Sequence, residues 1–195
     1  MDVVGERWTL LLVRELLLGP RRYGDLLESL PGLTTNLLAR RLKQLEADGI
    51  AERIELDAGA RAYRLTKRGA ALEPVIMELG RWGGALLDMP RPEDRTDMAW
   101  GLISMKRRFG GGSNFRAQLN VGERSFTLSF EGDYLSVQQK STDAPQLEVT
   151  GEPLAFRKWL FMGAELNVLE ASEELRVEGT QKARTKFVRA FERLN

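Results

Sequence analysis

The stretch Thr34-Thr35-Asn36-Leu37-Leu38-Ala39-Arg40-Arg41-Leu42-Lys43-Gln44-Leu45-Glu46-Ala47-Asp48-Gly49 decides how the first half of this chain is read. Thr34 has the short hydroxyl side chain that caps a helix by accepting from a free backbone N–H. Gly49 suits the left-handed position just past a helix end. Between them, Leu37, Leu38, Leu42 and Leu45 recur at helical spacing and define one apolar side. The residues left facing outward are Thr35, Asn36, Arg40 and Lys43, and no carboxylate lies between Thr34 and Leu45. Arg41 flanks that face, where a nearby acid can pair with it.

Working outward, Trp8 to Leu18 predicts a helix with Trp8, Leu11, Leu12 and Leu16 on its apolar face, stopped by Gly19-Pro20. Tyr23 to Leu30 predicts a second helix with Leu26, Leu27 and Leu30 inward, and Pro31-Gly32 supplies the turn before Thr34. After Gly49, Ile50 to Leu56 and Arg61 to Leu65 alternate as two strands around a tip at Asp57-Ala58-Gly59-Ala60. A fourth helix is expected from about Lys67 to Leu87, with Leu72, Val75, Ile76, Leu79 and Trp82 at helical spacing. Pro74 lacks a backbone donor, so it must fall in a first turn or bend this helix.

The order helix, helix, turn, helix, hairpin, helix is that of a winged helix-turn-helix domain, expected over residues 1–87. In such a domain the third helix enters the major groove first-turn end foremost. There Asn reads adenine bidentately, Arg reads guanine, and Lys suits phosphate. Thr35, Asn36, Arg40 and Lys43 are therefore the candidate DNA-binding residues. Arg22, ahead of the second helix, and Arg61, near the hairpin tip, join them as backbone or minor-groove contacts. Two or three basic residues on an amphipathic helix also suit an ordinary solvated face; the order of the surrounding elements favours the DNA reading.

The run Arg7-Trp8-Thr9-Leu10-Leu11-Leu12-Val13-Arg14-Glu15-Leu16, followed by Gly19-Pro20-Arg21-Arg22-Tyr23, resembles the HxlR family of bacterial winged-helix regulators. So do Leu30-Pro31-Gly32-Leu33, the segment from Leu38 to Ile50, and Tyr63-Arg64-Leu65-Thr66-Lys67-Arg68-Gly69. The resemblance implies transcriptional regulation, with a homodimer on a two-fold double-stranded DNA operator. The helices Trp8–Leu18 and Lys67–Leu87 are the natural dimer candidates. Thiol redox sensing, which the family often places on an N-terminal cysteine, is excluded within this chain because it has no cysteine.

Residues 88–97 hold two prolines without periodicity and are expected to be a linker. Residues 98–195 change grammar. A helix from Met98 to Phe109 ends at Gly110-Gly111-Gly112; then apolar residues alternate through Phe115, Ala117, Leu119 and Val121, through Phe126, Leu128 and Phe130, and on to Val137. Gly122-Glu123 and Gly132-Asp133 supply turns, Gln146–Thr150 and Leu175–Glu178 further strands, and 152–161, 164–171 and 180–194 helices. The expected class is α+β: the winged helix plus an antiparallel sheet covered by helices.

This second half resembles the sterol carrier protein fold, on Gln146-Leu147-Glu148-Val149-Thr150-Gly151-Glu152-Pro153 leading into one helix and Leu175-Arg176-Val177-Glu178-Gly179-Thr180 leading into another. The resemblance implies an apolar tunnel for hydrophobic ligands. Phe115, Phe126, Phe130, Trp159, Leu160, Phe161, Met162 and Leu166 are the residues to line it; the same residues equally suit a close-packed core. A tunnel would make the chain a regulator responsive to an apolar small-molecule effector. The alternative is a lipid carrier whose winged helix mediates protein contacts.

Composition narrows the remaining classes. The chain has no histidine and no cysteine, which removes the usual general base near neutral pH, the cysteine nucleophile and thiolate or imidazole metal sites. No paired-carboxylate or phosphate-loop motif is present, so no enzyme activity, metal or cofactor is expected. Net charge is only +1, so bulk electrostatics does not announce nucleic acid. No apolar run approaches a membrane span and the first residues lack a secretory pattern, so a cytoplasmic location is expected.

Overall fold

In the computed structural model the residues described are 5–56, 59–84, 98–139 and 142–191. They fall into two units that divide at Gly83–Gly84. The expected linker, 88–97, and the expected domain end at Leu87 lie outside the described residues.

The first unit runs α1 (Thr9–Leu16), β1 (Arg21–Arg22), α2 (Tyr23–Ser29), α3 (Thr35–Ala47), β2 (Ala51–Glu55), β3 (Arg61–Leu65), α4 (Lys67–Ala70) and α5 (Glu73–Gly84). Its core is Leu12, Val13, Leu16, Leu26, Leu30, Leu38, Leu42 and Leu45, closed by Ile50 just ahead of β2 and by Ala62 and Tyr63 of β3. The sheet is β1-β3-β2, antiparallel throughout, with Ala51 opposite Leu65 and Arg21 opposite Tyr63. The short β1 is absent from the sequence reading: two residues carry no alternation signal, and Arg21-Arg22 is a strand only because β3 pairs with it.

The fourth helix differs from expectation. It breaks after Ala70 and resumes at Glu73, giving α4 and α5 in place of one helix from Lys67. The break puts Pro74 in the first turn of α5, where its missing N–H would have no intrahelical partner anyway. Gly69 fixes α4 in place, since a Cβ there would lie 2.0 Å from the Ile50 carbonyl oxygen. Of the apolar positions read from spacing, only Ile76 is buried; Val75 and Leu79 are each 44% exposed and Trp82 is 69% exposed.

The second unit runs α6 (Met98–Arg108), β4 (Ser113–Val121), β5 (Arg124–Gly132), β6 (Tyr134–Gln138), β7 (Leu147–Gly151), α7 (Pro153–Phe161), α8 (Leu166–Ala171), β8 (Leu175–Gly179) and α9 (Gln181–Phe191). Its sheet order is β6-β5-β4-β7-β8. The expectation of a wholly antiparallel sheet is corrected: β4 and β7 run parallel, with Ala117 opposite Leu147. Alternation within a strand says which side chains share a face, not which way the neighbouring strand points. The parallel pair arises because the chain leaves the β6 edge and re-enters the sheet on the far side of β4.

One face of this sheet is apolar, with Phe115, Ala117, Leu119, Phe126, Leu128, Phe130, Leu135, Val137, Leu147, Val149 and Val177 all buried. Helices α6 and α9 lie against it, and α7 packs on α6. That second contact is close: a Cβ on Gly101 would come within 2.7 Å of Leu160 Cδ1. The other face is polar. Gln118 and Thr127 are nevertheless buried there, and the Thr142 backbone N–H donates to Gln118 Oε1 at 2.9 Å.

Candidate nucleic-acid interface

Helix α3 is held at both ends by its own sequence. At its start, Thr34 Oγ1 accepts from the Leu37 N–H at 3.4 Å. At its end, Gly49 sits at φ +67°, the Gly49 N–H donates to Glu46 O, and the Ile50 N–H donates to Leu45 O at 2.9 Å. This pair of bonds, reaching back over a left-handed glycine, satisfies carbonyls that a helix end otherwise leaves open. Thr66 Oγ1 donates to Gly49 O at 2.6 Å and accepts from the Gly69 N–H at 3.1 Å, tying the end of α3 to the start of α4.

The first turn has a further anchor. Tyr23 Oη donates to the Thr35 carbonyl at 2.6 Å, joining the start of α2 to the start of α3. The sequence reading placed Tyr23 only as a helix start. A phenol there is the available signal, since it reaches farther than an aliphatic side chain and must spend its hydroxyl somewhere.

Buried Leu38, Leu42 and Leu45 then turn Thr35, Asn36, Arg40 and Lys43 outward, and all four are exposed. Leu37, assigned to the core side, is half-buried. Asn36, Arg40 and Lys43 have no side-chain partner among the described residues. Neighbouring arginines behave differently. Arg41 donates to Glu6, so the flanking cation is paired with an acid as its position allowed. Arg53 reaches Tyr63 Oη at 3.0 Å and Glu46 at 3.6 Å, and Arg64 pairs with Glu52 at 2.7 Å. Arg22 and Arg61 are exposed, and Arg61 has no partner among the described residues. Around α3 and the hairpin the cations thus include some engaged with carboxylates (Arg41, Arg53, Arg64) and some left facing solvent (Arg40, Lys43, Arg61).

Residues 3–90 match a family model described as HxlR-like helix-turn-helix. An uncharacterized HTH-type transcriptional regulator from Synechocystis is 39% identical over 90 residues, which are 45% of this chain and 67% of that protein. YodB, an HTH-type transcriptional regulator of Bacillus subtilis, is 37% identical over 83 residues, covering 42% of this chain and 74% of YodB. The chain belongs to the HxlR-like helix-turn-helix family. An uncharacterized HTH-type regulator from Mycobacterium tuberculosis is 41% identical over 95 residues, of which this HxlR-like chain spans only 58% of the length. A solved structure of reduced YodB aligns with 46% of this chain and 90% of its own, at 33% identity and a TM-score of 0.40.

The HxlR-like match stops at residue 90, ahead of α6 and the five-stranded sheet, and the candidate pocket residues beyond it stand as follows. Phe115 and Phe130 face each other across β4 and β5 and stack, with ring centroids 4.0 Å apart and planes inclined by 6°. Phe187 of α9 meets both edge-on, and Phe109 and Phe191 complete the cluster. Trp159 is half-buried, 5.7 Å from Phe187 and 6.0 Å from Phe156 between centroids. Phe126 and Leu160 are buried, Phe161 and Leu166 half-buried, and Met162 is exposed. Phe109, an apolar residue of the expected Met98–Phe109 helix, and Phe187 and Phe191, at helical spacing on the last helix, join this cluster and are absent from the pocket residues read from sequence.

Among the described residues no cluster of acids is arranged to hold a metal ion, and no helix is long and apolar enough to cross a membrane.

Proposed function

We propose that this chain is a DNA-binding transcriptional regulator that reads its operator with α3. The observation that carries the proposal is the outward face of α3. Thr35, Asn36, Arg40 and Lys43 are exposed on a helix fixed at both ends, within a segment that belongs to a helix-turn-helix family. In this reading Asn36 and Arg40 contact base edges and Lys43 a phosphate, with Arg22 and Arg61 on the flanking backbone. The winged helix is the DNA-binding domain (1–87), joined through 88–97 to a sterol carrier protein-like domain (98–195).

The working form is a homodimer. Supporting this, Val75, Leu79 and Trp82 form an exposed apolar stripe on α5, at the i, i+4, i+7 spacing that one partner helix covers. The second unit is an effector domain for an apolar small molecule held between the sheet and α7, around Phe126, Leu160 and Leu166, with Met162 at the solvent side. Binding there would shift the balance between DNA-competent and DNA-incompetent dimers.

The test is selection of DNA from a random pool by the purified chain at stated salt. The expected product is a two-fold symmetric site with half-sites about one helical turn, or a multiple of it, apart. Failure to enrich any sequence overturns the regulator reading. Native mass spectrometry of the purified chain tests the effector domain separately: a retained apolar molecule is expected. A retained molecule with no enriched sequence favours the lipid carrier instead.

A further inference from the structure

Helix α9 carries a second cationic face that the α3 site does not use. Lys182, Lys186 and Arg189 recur at i, i+4 and i+7, so they lie along one side of the helix. Lys182 and Arg189 are exposed and Lys186 is half-buried. None of the three has a partner among the described residues. With Gln181 and Thr185 they form one contiguous polar side of α9.

Several described carboxylates of the surrounding elements are engaged elsewhere. The described turns of α9, Gln181 to Phe191, contain no acid. Arg184, on a different side of the same helix, takes up Glu170 at 2.8 Å. On the strands beneath, Glu148 bonds to Asn120 and Glu178 to Arg176 at 2.6 Å, and both alternate onto the polar face of the sheet, away from α9. Glu174 is held by Lys158. The helix cannot roll to hide the stripe, because Ala183, Phe187 and Ala190 are buried on its other side and Phe187 meets the Phe115–Phe130 pair.

We infer that α9 is a second DNA-contacting surface, which grips phosphates of the operator's flanks without reading bases. The inference rests on the regulator reading above and adds a contact from the second unit. The occupant follows from charge. Three cations spread over about 10 Å of helix axis need a partner with closely spaced negative charges, and duplex DNA carries one per roughly 1.7 Å. Two of the stripe's three cations are lysines, compact point charges on flexible stems that suit phosphate.

The experiment measures operator affinity of the full chain against salt, for the wild type and for Lys182→Gln/Lys186→Gln/Arg189→Gln. Each lost phosphate contact should reduce the magnitude of the log–log salt slope by about 0.9, or about 2.7 for the triple variant. Raising salt from 50 to 200 mM should then weaken the variant about 40-fold less than the wild type. The loss should be the same on operator and on random-sequence DNA. Lys182→Gln alone, with a slope change of about 0.9, serves if the triple variant does not fold. An unchanged slope, with Arg40→Ala still weakening operator binding, overturns the α9 contact and leaves the regulator reading intact. No DNA binding by the wild type overturns both. Loss of binding to phosphatidylserine vesicles with an unchanged DNA slope assigns the stripe to a membrane surface and overturns the inference.

Discussion

Helices α5 and α9 have similar length and the same basic design, an apolar stripe at helical spacing beside charged residues, yet they end in opposite states. In α9 the stripe is used up: Ala183, Phe187 and Ala190 are buried against the sheet, and the cations face out. In α5 the stripe is spare: Val75, Leu79 and Trp82 face solvent, and only Ile76 is fully buried. A helix whose apolar side is covered within its own unit is complete. One that shows a tryptophan at 69% exposure beside two aliphatic side chains presents an apolar patch of the kind that marks an interaction surface. The proposed dimer would use the open stripe of α5, while α9 spends its apolar side inside the second unit and turns its cations to solvent.

This contrast can be broken most forcefully at Phe187. Replacing it with Ala should cost about 3–5 kcal/mol of unfolding free energy, read from denaturant titration of the chain, because the cavity would open beneath the stacked Phe115–Phe130 pair. A loss below about 1 kcal/mol would mean that α9 is not an integral part of its unit.

Trp82→Ala should do the reverse. Unfolding of the monomer should change by less than about 0.5 kcal/mol, as for exposed positions generally. Self-association, followed by sedimentation equilibrium, should weaken by about 2–4 kcal/mol if Trp82 is a buried anchor in the dimer. Unchanged association would leave α5 without its proposed role.

Arg40→Ala sharpens the comparison from a third helix, where the polar side is the working one. Operator affinity should fall by about 1–3 kcal/mol, with specificity relaxed at the base pair Arg40 reads. Association state and stability should not move. Equal loss on random DNA would demote Arg40 from base reader to phosphate contact.

The smallest effect lies at Glu174. The hydrogen bond from Lys158 holds its carboxyl below the ordinary glutamate value. A carboxyl whose pKa is depressed by folding contributes stability above its unfolded pKa, and that contribution is lost as pH falls through the folded value. Lys158→Met should bring the Glu174 titration, followed by NMR, back up towards that of an unpaired glutamate. No upward movement would dismiss the ion pair as the cause.

The candidate interface was legible because it is local. Thr34 and Gly49 mark the ends of α3 by their own chemistry, and the spacing of Leu38, Leu42 and Leu45 fixes which residues turn outward. Arg41 was separable from Arg40 and Lys43 for the same reason, since it lies between the apolar and polar sides. Tyr23 escaped notice because its role depends on a hydrogen bond across 12 positions to a carbonyl, and carbonyls leave no trace in sequence. In the second unit, alternation gave the faces of the strands correctly, but the Phe187 and Phe191 contributions required knowing that the last helix folds back over β4 and β7.

What the sequence determines by itself is whatever neighbouring residues settle among themselves: the caps, the turns, the period of each element, and the acid-free face of α3. The absence of histidine and cysteine is equally final, and it removes whole classes of chemistry. Tertiary structure alone decides the pairings. Two arginines become β1 only beside β3, β7 runs parallel to β4 only because of where the chain re-enters the sheet, and one predicted helix becomes α4 and α5, with Gly69 of α4 packed against the Ile50 carbonyl. Tertiary structure also decides that the α5 stripe is left open while the α9 stripe is closed. Periodicity states that an apolar face exists; only the rest of the fold supplies, or withholds, the surface that covers it.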